Sequence, residues 1–144
     1  MIRALVVEDM ETIRDINEYA LGYPNSIEKT MQQFRRLTAD SHHFFLGFED
    51  EDSGSIVGYI HAEVYESLYS EAGFNLLALA VLEEFQGKGI GRQLLEAIEK
   101  EARERQFHFI RLNSGSHRKK AHAFYEHAGY DSDKVQKRFI KYVR

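Results

Sequence analysis

Apolar and polar positions follow two rhythms along this chain, and the switches between them mark out the elements. Strand-length apolar runs stand at Arg3–Val7, at His43–Phe48, from Ile56 to Val64 or Tyr65, at Leu77–Val81 and at Phe109–Asn113. The run Leu76-Leu77-Ala78-Leu79-Ala80-Val81 is apolar without interruption, the pattern of a strand covered on both faces. Elsewhere the spacing is helical. Asp9 is a candidate N-cap for a helix reaching about Leu21, with Ile13, Ile16, Tyr19 and Ala20 on one side. The Gly22-Tyr23-Pro24-Asn25 break follows, and Ser26 can cap a second helix carrying Ile27, Met31, Phe34 and Leu37 to about Asp40. A third helix, Gly91–Gln106, lines up Ile90, Leu94, Leu95, Ile98 and Ala102. After a Ser114-Gly115-Ser116 turn, a fourth runs from about His117 to Ala128, with Gly129 placed to end it. Tyr130 is expected to begin another strand, Asp131–Lys134 to turn, and Arg138–Val143 to form the last strand. This order predicts a single α+β domain over residues 1–144, a mixed sheet with helices on both faces.

Composition narrows the chemistry. Cysteine is absent, which removes disulfides, thiolate nucleophiles and cysteine-based zinc sites. A net charge of −4 argues against a general nucleic-acid binder and is mildly compatible with a cationic substrate. No apolar run is long enough to span a bilayer, and the opening MIRALVVEDM lacks the apolar stretch of a secretion signal, so a cytoplasmic protein is expected.

The stretch between the unbroken strand and the third helix carries the strongest chemical signal. Gln86-Gly87-Lys88-Gly89-Ile90-Gly91 packs three glycines into five residues where a strand must turn into a helix. Glycine lets backbone approach a ligand closely, and a helix start offers unpaired N–H groups to a phosphate. A P-loop is excluded because no Lys-Ser/Thr pair follows, and a dinucleotide fingerprint because Arg92 occupies its sixth position.

The stretch resembles the acetyl-CoA motif of the GNAT N-acetyltransferases, [RQ]-x-x-G-x-[GA]. A second stretch, Arg118-Lys119-Lys120-Ala121-His122-Ala123-Phe124-Tyr125-Glu126-His127-Ala128-Gly129-Tyr130, resembles the family's other signature at the matching distance. The resemblance covers essentially the whole chain. It implies the acyl-CoA N-acyltransferase fold, three α/β/α layers around a mostly antiparallel mixed sheet of six to seven strands. It also implies acetyl-CoA as co-substrate and no metal. The CoA pyrophosphate would meet Gln86, Gly87, Lys88, Gly89, Ile90, Gly91 and Arg92, with Arg118 near the phosphates. The pantetheine arm would pair, like an added strand, with the backbone of Leu79, Ala80 and Val81.

Tyr125 is then the candidate general acid. A tyrosine hydroxyl, with a reference pKa of about 10, can protonate a departing thiolate whose conjugate acid lies near about 8.5. The base is less evident. Deprotonating an alkyl ammonium at pH 7 costs about 4–5 kcal/mol, and many family members place a carboxylate on the central strand where this chain has Leu77 and Ala78. Glu63 is the tentative base, with Glu66 and His61 beside it. His117, His122 and His127 recur every five residues on one helix and diverge, so they form no metal site.

The reading is an N-acetyltransferase in which an amine attacks acetyl-CoA directly in a ternary complex. The acceptor is a small-molecule amine or a protein N-terminal amine, with no nucleic acid and no membrane, and by analogy with relatives a homodimer is expected. The alternative is a non-catalytic acyl-CoA-binding module, favoured by the missing carboxylate at Leu77 and Ala78.

Overall fold

A computed structural model describes residues 1–144. The chain forms two compact units, Met1–Leu112 and Asn113–Arg144.

The first unit is a five-stranded sheet with three helices. Its strands are β1 (Ile2–Arg3), β2 (His43–Glu49), β3 (Ile56–Tyr65), β4 (Gly73–Val81) and β5 (Phe109–Arg111), hydrogen-bonded in that order. All neighbours are antiparallel except β4 and β5, which run parallel. The helices are α1 (Met10–Leu21), α2 (Ile27–Thr38) and α3 (Ile90–Glu104). Ser26 caps α2 as its sequence predicts, its hydroxyl accepting the Lys29 N–H at 3.1 Å.

Side-chain alternation divides the core between the two faces of the sheet. On one face, Met10, Ile13 and Ile16 of α1 and Phe34 of α2 pack with Ile56, Tyr59 and Ala80. On the other, α3 buries Leu94, Leu95 and Ile98 completely, and Ile90 lies beside Gly58 of β3. Helix, sheet and helix thus make three layers within this unit. No helix of the chain is long and apolar enough to cross a membrane.

The strand expected at Arg3–Val7 is only two residues long, because Val7–Asp9 tightens into a 3-10 turn. Ion pairing explains the early turn. Arg3 donates to both Asp9 oxygens at 2.8 and 2.9 Å and to Glu49 at 2.7 Å, while Asp9 also accepts the Val6 N–H at 2.8 Å. Burial works against the Asp9 carboxylate, yet these donors hold its pKa below the ordinary value.

Gly73 sets how close β5 can come. A Cβ at this position would stand 2.5 Å from the Phe109 carbonyl oxygen and 2.6 Å from its ring. Gly73→Ala is therefore expected to destabilise the protein by about 1–3 kcal/mol. Urea denaturation reads this directly, and an unchanged midpoint would mean that β5 has room to move aside.

In the second unit, α4 spans Lys119–His127, and Gly129 (φ +94°) follows it as the sequence predicts. The further strands expected at Tyr130 and Arg138–Val143 are absent, so the sheet has five strands and not six to seven. A strand exists only where its backbone groups pair with a neighbouring strand, and no residue after Arg111 is paired in the sheet. Here Val135, Phe139, Tyr142 and Val143 are left exposed.

Candidate functional site

The site is organised by an interruption in β4. His61 faces Ala78 and Ala62 faces Leu76, so Leu77 is an extra residue that β3 does not match. Such a bulge bends the strand and disrupts its ladder locally. Leu77 is about half exposed, at 48%. Beyond it β4 loses its outer neighbour, because β5 pairs only with Gly73–Asn75.

Hydrogen-bond parity then assigns the free edge. Leu82 donates to the Val57 carbonyl at 2.9 Å, and counting back by two along an antiparallel ladder gives Ala80 opposite Tyr59 and Ala78 opposite His61 as bonded pairs. The backbone groups of Leu79 and Val81 therefore turn to the open side. Gln86 reaches one of them, its Nε2 donating to the Val81 carbonyl at 2.9 Å and holding the loop against the strand end.

From there the chain enters α3 through two left-handed residues, Gly87 (φ +77°) and Gly89 (φ +83°). Nothing lies within 4 Å of where a Cβ would stand at either, so conformation and not crowding requires glycine. Gly89 occupies the N-cap and has no side chain to satisfy the first turn. The first intrahelical bond is from Gln93 to Gly89 at 3.0 Å. The N–H groups of Ile90, Gly91 and Arg92 consequently point outward from the positive end of the helix, an arrangement suited to an anion. Lys88 stands over the Phe85 ring at 5.1 Å, and Arg92 pairs with Glu96 at 3.2 Å.

The remaining candidates of the first unit lie on the α1 and α2 side of the sheet. Glu63 accepts the Asn75 amide at 2.9 Å, and Asn75 accepts from Arg111 at 2.6 Å. The other Glu63 oxygen lies 3.9 Å from His42 Nε2. His61 stacks on Phe45 with ring centroids 3.9 Å apart, and its Nε2 is 3.0 Å from His43 Nδ1. Burial first, then the nearness of His43, lowers the His61 pKa to about 4. Tyr59, buried beside Asn17 and donating its hydroxyl to that amide oxygen, is pushed up to about 12 by burial despite this bond. His61, Tyr59 and Asn17 line a cavity of about 130 Å³ between α1, α2 and the sheet.

In the second unit, Arg118 is the N-cap of α4 and Tyr125 lies two turns on. The Tyr125 ring packs edge-on to Phe124 and Tyr130, at 5.1 and 5.9 Å. Burial raises its pKa, with the charge of Arg118 acting in the opposite direction. Three features of the region carry no sequence signal: the bulge at Leu77, the His43 partner of His61, and the Asn75–Arg111 support of Glu63. Each depends on which residues the strand register sets opposite one another.

A family model for the GNAT acetyltransferases matches residues 9–130. The chain belongs to the GNAT acetyltransferase family. No curated protein matches its sequence. Among solved structures, GNAT architecture recurs at low identity. An aminoglycoside 6'-N-acetyltransferase from Acinetobacter haemolyticus is 14% identical, with a TM-score of 0.83 over 100% of this chain and 99% of the other. Glucosamine-6-phosphate N-acetyltransferase from Arabidopsis thaliana is 20% identical, with a TM-score of 0.80 over 100% and 98%. A GNAT acetyltransferase from Staphylococcus aureus is 23% identical, with a TM-score of 0.79 over 99% and 98%. At these identities the likeness is one of fold.

Proposed function

We propose that this GNAT protein transfers an acetyl group from acetyl-CoA to a primary amine by direct attack within a ternary complex. The observation that carries the reading is the open β4 edge leading straight into a glycine-started helix. The unpaired N–H groups of Ile90, Gly91 and Arg92 suit a pyrophosphate, with Lys88 and Arg92 adding positive charge. Leu79 and the N–H of Val81 offer backbone groups to the amides of the pantetheine arm, whereas those of Ala80, expected to join them, face Tyr59 of β3. Arg118 supplies a further cation for the phosphates. Tyr125 protonates the departing sulfur, and its raised pKa keeps that proton in place at neutral pH. Glu63 is the carboxylate whose charge draws the amine's proton away, through intervening groups.

Small-molecule amines are the acceptors favoured here, since two structural neighbours carry such substrates in their names, an aminoglycoside and glucosamine 6-phosphate. Incubation with acetyl-CoA and a panel of amines, read by release of the free thiol, is expected to show amine-dependent turnover. The apolar Leu77 and Ala78 favour a second reading, a non-catalytic acyl-CoA-binding module. Tight CoA binding with no thiol release across the whole panel would select it.

A further inference from the structure

The cavity beneath α1 and α2 combines an apolar body with one nitrogen base. Ile13, Phe34 and Phe45 supply hydrocarbon and aromatic surface toward one part of it, and Asn17, Asn25, Thr30, Gln33, Tyr59 and His61 supply polar groups. At about 130 Å³ it is close to the ~150 Å³ apolar cavity that accommodates a benzene ring. None of its lining residues is acidic, so nothing there would balance a second cationic centre.

We propose that this cavity receives a small primary monoamine with an apolar or aromatic body, and that His61 takes its ammonium proton through a relay to His43. The proposal rests on the acetyl-transfer reading above and names its acceptor class. His61 is well placed for the role. It is the direct cross-strand partner of Ala78, one residue from both Leu77 and Leu79, and adjacent strands lie only about 4.8 Å apart. Alanine has no side-chain atom beyond Cβ, so β4 presents no polar side chain at the position paired with His61, while the imidazole itself stacks on Phe45 of β2.

The relay balances in protons. His61 Nε2 and His43 Nδ1 are 3.0 Å apart, so one must donate to the other. With the proton on His61 Nε2, the ring's Nδ1 is free to accept. The ammonium N–H bond breaks and its proton goes to His61 Nδ1. The proton on His61 Nε2 passes to His43 Nδ1, and His43 releases its own Nε2 proton to water. Positive charge is thus transferred from His61 to His43, the ring nearer Glu63 in the strand register. The titratable groups around His61 are His43 on β2, with His42 and Glu63 beyond it, and Tyr59 on its own strand; β4 presents only Ala78. Glu63, opposite His43 in the register, favours a cation there and acts as a positioning residue.

The test uses benzylamine as the probe, with spermidine and kanamycin for comparison. Long-range proton–nitrogen correlation spectra of the wild-type protein are expected to show His61 protonated at Nε2, with Nδ1 shifting on addition of benzylamine. Benzylamine should be acetylated in preference to the two polyamines. His61→Gln should lower kcat/KM for benzylamine by about 100-fold or more at pH 7. That deficit should shrink as pH approaches the amine's own pKa, where no base is needed, and His43→Gln should show the same pH pattern. A merely structural role gives a deficit independent of pH, which would overturn the proposal. So would spermidine or kanamycin turnover without benzylamine turnover, which leaves acetyl transfer standing and removes this acceptor class. If acetyl-CoA is not bound at all, the transfer reading and the catalytic part of His61 fall together.

Discussion

Tyr125→Phe is expected to lower kcat for acetyl transfer by about 10²–10⁴-fold, equivalent to ~3–5 kcal/mol of transition-state stabilisation. CoA affinity should be unchanged, because the substitution removes one oxygen and keeps the ring that packs against Phe124 and Tyr130. The sign of the pH effect is also set. Burial holds the Tyr125 pKa above 10.0, so the hydroxyl keeps its proton at neutral pH and loses it only as pH rises through that raised value. Wild-type activity should therefore decline on the alkaline side, where a phenolate has no proton to give the sulfur. The Phe variant should lack this decline, its residual rate coming from protonation by water. Stopped-flow thiol release across pH measures both effects. Equal kcat in the two proteins, with an active amine in hand, would remove Tyr125 from the mechanism.

Where local pattern decides structure, the chain is readable from its residues. The limits of β3 fall at Ile56 and Tyr65, as the apolar run indicates, and Ser26 caps α2 because a serine ahead of an amphipathic run has one obvious partner, the N–H three residues on. The loop Gln86–Gly91 is legible for the same reason. Glycines at Gly87 and Gly89 answer a backbone requirement confined to those two residues. The expectation fails at Arg138–Val143, because a strand depends on pairing with a neighbour, which no local pattern specifies.

The chemistry of the sheet face was legible only as a set of residue types. Glu63 and His61 are visible in the sequence as candidate bases, yet their relative standing depends on register. One residue of slippage at Leu77 puts Ala78 opposite His61 and Asn75 opposite Glu63. Asn75 then engages the carboxylate at 2.9 Å, while His61 turns into the cavity with His43 behind it. Sequence separation hides the pair, since His43 and His61 lie 18 residues apart on adjacent strands. An antiparallel register brings them together, and that register is set by the alternating burial of both strands.

The glycine loop makes the other large prediction. Gly89→Val is expected to weaken CoA binding by about 30- to 100-fold, or ~2–3 kcal/mol. Valine at the observed φ of +83° meets its β-branched carbons against the backbone, at a cost of about 1–2 kcal/mol. Relaxing that strain means rotating φ to negative values, which swings the Ile90, Gly91 and Arg92 N–H groups away from the pyrophosphate. Each charge-assisted hydrogen bond lost there is worth about 1.5–3 kcal/mol. Gly54→Val provides the control, because Gly54 has a similar φ of +71°, likewise meets nothing within 4 Å, and sits in the turn between β2 and β3. Both variants should lose comparable thermal stability, and only Gly89→Val should lose affinity for CoA by calorimetry. If the two titrate alike, the anion is held elsewhere, since backbone strain is then all that the substitutions share.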